Sequence, residues 1–256
     1  MSTAAATYDA AGRDHRPGLG TLTRVELRKA YDTRSGFWLL AAVALLILAT
    51  ALITVLTGAD DSRTVSNVLD NCTQTLNILL PVLGVLLVTS EWSQRTALLT
   101  FTLVPQRGRV LVSKVAASLV LALAAMVVVL VLSLITTAIN PAATGAFHLD
   151  GGLLLQTILY TMLSMLIGVG FGAAMLVSAP AIVALFAAPL AWSAVTHVIH
   201  GLNGLGNWTD QGETFSNLTD HTLSGHEWAQ VATTTLLWCV LPLAIGAYRF
   251  LRGEIR

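Results

Sequence analysis

The stretch "LVSKVAASLVLALAAMVVVLVLSLITT", residues 111–137, is a long apolar run whose one charged residue, Lys114, lies near its start. It exceeds the about 20 residues that a helix needs to cross the hydrocarbon core of a bilayer. This length and composition predict a transmembrane helix. The excess length predicts that the helix is tilted or extends past the membrane interface.

The rest of the chain has the same character. Of its 256 residues, 55% are hydrophobic and 11% are charged, and the mean hydropathy is +0.73. A soluble domain carries about a quarter charged residues, so the fold class predicted is an all-α membrane protein. Six stretches are long enough to cross, at residues 36–57, 73–90, 111–137, 152–177, 180–199 and 229–248. Ser178 and Pro180 predict a tight turn between the fourth and fifth spans.

The basic residues predict the orientation. If the N-terminus is cytoplasmic, thirteen of the fourteen lysines and arginines lie on the cytoplasmic side, and only Arg63 lies outside. Positive charge is retained on the cytoplasmic side of membrane proteins. We therefore expect six spans with both termini in the cytoplasm. The outer loops lean acidic.

The longest outer segment, residues 200–228, begins with glycines and asparagines and carries Trp208, Phe215 and Trp228 at intervals. Aromatic residues are enriched at the headgroup level. This pattern indicates a segment on the outer membrane surface with a short re-entrant or interfacial helix. A freely exposed loop is the alternative.

Residues 1–20 contain no apolar core like that of a signal peptide and are predicted to form a flexible tail. Residues 22–38 follow, with Thr23-x-x-Glu26 in the pattern of a helix capping box. Arg24 and Arg28 share one face of the predicted helix, and Lys29 lies beside them. We expect an amphipathic helix at the inner interface.

A second basic segment, "TSEWSQRTALLTFTLVPQRGRVLVSK" (residues 89–114), lies between the second and third spans. Glu91 and Trp92 mark the end of the second span. Residues 97, 101 and 104 are apolar at helical spacing, and Pro105 ends the pattern. These features predict a short interfacial helix. Ordinary anchoring of the arginines to lipid headgroups is the alternative.

Residues for chemistry are scarce. The predicted spans contain no Asp or Glu at mid-depth, whereas membrane enzymes and ion carriers need ionisable groups there. No glycine-rich loop ends in Gly-Lys-Ser/Thr, so the chain has no nucleotide site of that kind. "HEWAQ" begins like a zinc-protease helix, but Gln230 stands where the second histidine is required. Four histidines lie toward the outer side, and scattered interfacial positions are favoured over a loose metal site: His197, His200, His221 and His226.

Ser164, Gly168 and Gly172 recur every four residues in the fourth span. Small residues at this spacing let two membrane helices approach closely. We expect this face to pack within the bundle. A seam between two copies of the chain is the alternative.

Two stretches carry a resemblance to a known family. "TRVELRKAYDTRSGFW" precedes the first span, and "LLPVLGVLLVTSEWSQRTALLTFTLVPQRGRVLVSK" follows the first outer loop. Together with the six-span layout they resemble the permease subunits of type-2 ATP-binding-cassette (ABC-2-type) transporters. The resemblance covers nearly the whole chain in layout. It is most specific at residues 91–92, 95–96, 100 and 105–114.

The resemblance implies an all-helical permease domain at residues 21–256 of a multi-pass protein of the bacterial plasma membrane. The N-terminal helix, with Arg24, Glu26, Arg28 and Lys29, becomes an interfacial elbow. The loop between spans two and three becomes a coupling helix that docks into a separate ATPase subunit. It assigns that contact to six residues: Glu91, Trp92, Arg95, Thr96, Arg107 and Arg109.

The same resemblance implies that ATP and magnesium are bound by the partner, so that this chain binds no cofactor or metal and is not itself an enzyme. It also implies a second permease copy or a paralogue, contact with membrane lipid, and no nucleic-acid partner. The function expected is export of a small drug-like, peptide or lipid-like substrate. A non-transporting scaffold, immunity or signalling protein is the alternative, and a membrane-embedded enzyme is a weaker one.

Overall fold

The computed structural model describes residues 18–57, 63–93, 107–139 and 145–252, and within these ranges the chain forms helices and no strand. We number the α-helices in chain order, and their bounds follow: α1 Leu19–Asp32, α2 Arg34–Thr57, α3 Val65–Ser93, α4 Arg107–Ile139, α5 Gly151–Met175, α6 Ser178–Val198, α7 Asn203–Thr209, α8 Gln211–Asp220, α9 Gly225–Thr235 and α10 Leu241–Arg252.

Six helices are long and apolar enough to span a membrane, which confirms the predicted six-helix membrane class. They are α2 to α6 and the continuous helix that α9 and α10 form through a π-helical segment, Leu236–Val240. Three of them begin well before the predicted residue: α3 begins at Val65, α4 at Arg107 and the last helix at Gly225, compared with residues 73, 111 and 229.

Two of these helices form the centre of the bundle. In the most apolar 18-residue stretch of α3 and of α5, 67% and 61% of the residues are buried. In the other four membrane helices the buried share is 17% to 28%. Glycines bring the two central helices together: a Cβ atom on Gly168 would lie 2.0 Å from the carbonyl oxygen of Pro81. Gly84 and Gly172 meet the opposing backbone in the same way. The peripheral helices present apolar side chains outward, as expected of surfaces that face lipid.

The turn between α5 and α6 is as tight as predicted, although it centres on Leu176 and Val177. Leu176 has φ +60° and closes α5 with a hydrogen bond from its N–H to the carbonyl of Gly172 (2.8 Å). Pro180 lies inside the first turn of α6. Proline is tolerated there because the first N–H groups of a helix have no partner within it.

The π-helical segment has a sequence cause in Pro242. Its nitrogen cannot donate to the carbonyl four residues earlier, and its ring crowds that carbonyl. A wider turn relieves the conflict, and the N–H of Leu241 accordingly reaches back to the carbonyl of Leu236. This region packs on α5 through Gly170, where an added Cβ would lie 3.3 Å from the carbonyl oxygen of Cys239.

The predicted capping box of the N-terminal helix is wrong. The helix begins at Leu19, so Thr23 lies inside it and its hydroxyl donates to the carbonyl of Leu19 (2.9 Å). Glu26 turns inward to a buried ion pair. The chain does have a capping box, but it lies at Ser224 and Glu227, where it begins α9.

Candidate functional site

Side-chain and backbone contacts place α1, the end of α3, the start of α4, the α5–α6 turn and the end of α10 at one end of the bundle. The hydroxyls of Thr89 and Ser178 lie 2.7 Å apart, and Arg249 donates to the carbonyl of Ala174. We call this the basic end. The opposite end, where α2 finishes and α5 begins, is called the acidic end.

At the basic end, α1 and α2 meet in a sharp elbow made by Thr33 and Gly36. Thr33 is extended, its N–H closes α1 on the carbonyl of Lys29, and its hydroxyl oxygen accepts from the N–H of Gly36 (3.2 Å). A Cβ atom on Gly36 would lie 2.1 Å from the carbonyl oxygen of Ala30. Glycine is therefore required for α2 to pass so close to α1.

A buried ion pair joins the elbow to the bundle. Lys114 of α4 is fully buried, and its Nζ donates to Oε2 of Glu26 (2.7 Å) and to the carbonyl of Leu87 in α3 (3.1 Å). Glu26, 4% exposed, also accepts at Oε1 from Lys29 (2.8 Å). Removing one member of such a pair leaves the other charge buried without its partner, which costs about 3–5 kcal/mol.

The pair has a position that bears on function. Leu87 lies near the end of α3 and Lys114 lies near the start of α4, on either side of residues 94–106. Glu26 thus fastens α1 to both helices that bracket the predicted coupling loop. Apolar contacts support it, since Ala30 packs with Leu87 and Ala117.

A small polar cavity lies beside the pair. It holds about 20 Å³ and is lined by Glu26, Lys29, Thr33, Ser35 and Ser90, among others. One water molecule needs roughly 10–15 Å³ of such space and two or more polar partners. The cavity can therefore hold a single water against the ion pair.

The predicted ATPase contacts lie largely outside the described structure. Arg95 and Thr96 fall outside the described residues. Glu91 and Trp92 lie in the last turn of α3 and Arg107 begins α4, but only their backbone is described. Arg109 is partly exposed at the start of α4.

The other predicted site residues are all described. In α1, Arg24 and Arg28 are exposed, with Arg28 paired to Asp32 (3.0 Å), whereas Glu26 and Lys29 point toward the bundle. The three small residues of α5 are buried. Two of them, Gly168 and Gly172, lie against α3 of the same chain.

At the acidic end, α7 and α8 form a helical hairpin whose turn reaches deep between the membrane helices. The backbone carbonyl of Thr209 accepts from the indole N–H of Trp238 (2.8 Å). The side-chain hydroxyl oxygen of Thr209 accepts from the indole N–H of Trp192 (2.8 Å). Trp238 lies about 20 Å along the last helix from its start, at 1.5 Å per residue. The hairpin therefore has re-entrant geometry, one of the two forms predicted for this segment.

Gln156 of α5 holds the other side of the hairpin. Its amide nitrogen donates to the carbonyls of Leu218 (3.3 Å) and His221 (2.8 Å), and its amide oxygen accepts from the N–H of Leu223 (3.1 Å). Phe215 and Leu218 of α8 are buried in the cluster around α5 and α6. The hairpin is thus an integral part of the fold.

The histidines at the acidic end serve separate contacts. His221 pairs with Glu227 (2.8 Å), His226 stacks edge-on against Trp208, and His197 caps back onto the carbonyl of Ser193. Within residues 18–57, 63–93, 107–139 and 145–252, no group of three or more histidine, cysteine or acidic side chains is placed to hold a metal ion.

Sequence reasoning missed the two residues that organise these ends. The charge pattern predicts only that Lys114 lies on the cytoplasmic side, although a lone lysine inside an apolar run is itself a signal, because burial is costly without a partner. Gln156 lies within the fourth predicted span. No pattern in the sequence shows that it bonds the hairpin.

No protein-family model matches this chain, and a search of curated proteins finds no significant relative.

Proposed function

We propose that this protein is the membrane-spanning permease subunit of an ATP-driven exporter and works with a separate ATPase subunit. The proposal rests on the buried contacts at the basic end that attach α1 to α3 and α4. Glu26 binds Lys114, and Lys114 also binds the carbonyl of Leu87, so the interfacial helix is fixed to both helices that flank the basic loop.

Such an attachment suits a region of the protein that transmits force from a partner to the membrane helices. A loop that receives a push from a partner can move a membrane helix only if its two ends are held rigidly. Breaking the buried ion pair is costly, so α1, α3 and α4 move together at this end. The start of α3, at the acidic end, lies beside α2 and the re-entrant hairpin, where motion would open or close a path.

Two other features of the chain are consistent with a separate subunit that supplies the energy. The sequence lacks a phosphate-binding loop ending in Gly-Lys-Ser/Thr. A polypeptide that moves a substrate against a gradient without a nucleotide site needs an ion gradient or a second subunit. The predicted spans lack mid-depth carboxylates, and the buried carboxylate of Asp210 at the hairpin turn caps α8 by accepting from the N–H of Glu213 (3.1 Å). Neither feature favours ion coupling.

The test is purification of the tagged chain in a mild detergent, with mass spectrometry of its partners. We expect an ATPase that carries a phosphate-binding loop. Changing Arg95, Arg107 and Arg109 together to Gln should remove that ATPase from the preparation. Arg63→Gln, at the acidic end, is the control and should retain it.

A wild-type preparation without an ATPase would contradict the proposal and favour a scaffold or signalling protein. Retention of the ATPase by the triple variant would contradict only the role assigned to the loop.

A further inference from the structure

A polar groove lies on the bundle surface between α2 and α3, near the acidic end. The groove is open to the surroundings and has a volume of about 540 Å³. It is lined by Thr50, Thr54 and Thr57 of α2 and by Asn71, Gln74 and Thr75 of α3. Small-molecule sites in proteins enclose about 300–1,000 Å³. Six hydrogen-bonding side chains on a surface that otherwise faces lipid require an explanation.

The hydroxyl protons of the threonines in the groove already form hydrogen bonds within the protein. Thr54 donates to the carbonyl of Thr50 (2.9 Å), and Thr57 donates to the carbonyl of Ile53 (2.7 Å). Thr75 donates to the carbonyl of Asn71 (3.1 Å), so in the contact between Thr50 and Thr75 (3.1 Å) the proton comes from Thr50. A hydroxyl has one proton and two lone pairs. The threonines therefore present acceptors to an incoming molecule.

The side-chain amides of Asn71 and Gln74 and the nearby carboxyl group of Asp70 also favour a ligand that donates hydrogen bonds. The amide nitrogen of Gln74 donates to Thr219 (3.2 Å) and also interacts with the carboxyl group of Asp70. The amide nitrogen of Asn71 donates one of its two N–H groups to Thr54 (3.4 Å), and the amide oxygens of Asn71 and Gln74 are further acceptors among the lining residues. Asp70 lies beside Asn71 and also faces Asp220. Acceptors next to negative charge favour a cation that carries N–H donors.

An apolar surface continues the groove toward the middle of the bundle. Ile78, 59% exposed, lies one turn below Thr75, and Leu46, 47% exposed, lies one turn below Thr50. A hydrocarbon chain that leaves the groove along these helices would stay in contact with apolar side chains and lipid. The combination fits an amphiphile and not a small polar solute.

We propose that this groove binds the head of a single-chain alkylammonium amphiphile through its N–H donors, with its tail along Leu46 and Ile78. The assignment deepens the proposed function, on which it rests, by naming the substrate class of the exporter. The site is open from the bilayer, so the substrate enters sideways from the lipid.

The experiment measures binding to the full chain in phosphatidylcholine nanodiscs, a lipid without N–H donors in its headgroup. The probe is radiolabelled dodecylammonium, and binding to empty nanodiscs is subtracted. Dodecyltrimethylammonium has the same tail and charge but no N–H donor. We expect saturable binding of dodecylammonium, and at least about tenfold weaker competition by the trimethyl compound.

Two variants localise the site. Thr50→Val and Thr54→Val keep the side-chain shape and remove an acceptor, and each should weaken dodecylammonium binding by about three- to tenfold. Thr23→Val is the matched control, because Thr23 also bonds to the carbonyl four residues earlier but lies in α1 at the basic end. It should leave binding unchanged.

Equal binding of the two ammonium compounds, or no saturable binding, would overturn the proposal. So would displacement of dodecylammonium by phosphatidylethanolamine in the nanodiscs, since that result would assign the groove to a lipid headgroup. The assay contains no ATPase, so its failure is distinguishable from failure of the proposed function. Partner capture with no binding would leave the exporter without this site.

Discussion

At the scale of single residues, Lys114 is the most unusual position in the chain. It is fully buried inside a membrane helix, and it is satisfied by a carboxylate from α1 and a carbonyl from α3. Burying a charge is expensive unless it is paired and hydrogen-bonded. The arrangement gives three elements one shared point of attachment, and its loss should be felt in all of them.

We predict that Lys114→Met lowers the free energy of unfolding by about 3 kcal/mol, the lower end of the range for broken buried pairs, because Glu26 keeps Lys29. Glu26→Gln should also destabilise. The double variant should be more stable than the sum of the two effects by at least about 1 kcal/mol. Unfolding in mixed micelles, followed by tryptophan fluorescence, measures this.

The exposed pair of Arg28 and Asp32 on the same helix provides the control. Arg28→Gln should change stability by no more than about 0.5 kcal/mol, because the solvent already screens that pair. If Lys114→Met proved as harmless as Arg28→Gln, the buried pair would not be what attaches α1.

At the scale of elements, the hairpin of α7 and α8 depends on a few polar contacts to the membrane helices around it. Gln156 supplies three of them from one side chain, and two indoles bind Thr209 at the turn. Hydrogen bonds between membrane helices are worth about 1 kcal/mol each. These polar contacts add to the burial of Phe215 and Leu218, so the hairpin is held by hydrogen bonds and by apolar packing together.

We predict that Gln156→Leu loosens the hairpin without unfolding the bundle. Losing three hydrogen bonds should raise amide hydrogen exchange in residues 211–223 by at least about tenfold. Hydrogen exchange with mass spectrometry measures it. Gln230→Leu is the control, because among the described residues its amide is hydrogen-bonded only to His226, at 3.5 Å. Exchange in this variant should stay at the wild-type rate. Unchanged exchange in Gln156→Leu would show that apolar packing alone holds the hairpin.

Sequence reasoning predicted the six spans and the small-residue packing face of α5, and it failed on the polar contacts between helices. A run of about 20 apolar residues marks a span whatever packs on it, which is why all six were predicted. The start of α3 was missed because Asp70 and Asn71 make its first turns polar. Those side chains face α2 and α8, and hydropathy cannot separate a polar face turned to protein from a loop. The partner of Lys114 lies 88 residues away and leaves no local pattern.

At the scale of the whole molecule, charge divides the bundle into two unlike ends. Of the lysines and arginines in the described part of the chain, all except Arg63 lie on segments of the basic end. The acidic end holds Asp150, Asp210, Glu213, Asp220 and Glu227. Such asymmetry is the usual signal of orientation in a cell membrane. It predicts the basic end inside the cell and the hairpin on the outer side.

Cysteine labelling tests this orientation. In a background with Cys72→Ala and Cys239→Ala, both of which are buried and unbonded in the wild type, single cysteines replace the exposed residues Glu213 and Arg24. We expect a membrane-impermeant maleimide to label Glu213→Cys in intact cells and Arg24→Cys only after permeabilisation. The opposite pattern would contradict the orientation and the coupling role of the basic loop.

The ion pair at the elbow also sets an order of events during biosynthesis. The ribosome adds Lys114 88 residues after Glu26, which at 5–20 residues per second is a delay of about 4–18 s. Throughout that interval Glu26 can accept from Lys29 and not from Lys114, so the buried pair cannot form. The attachment of α1 to α3 and α4 through this pair is therefore completed only after the start of the third span has been synthesised. A nascent chain that stops before residue 114 leaves Glu26 without its buried partner.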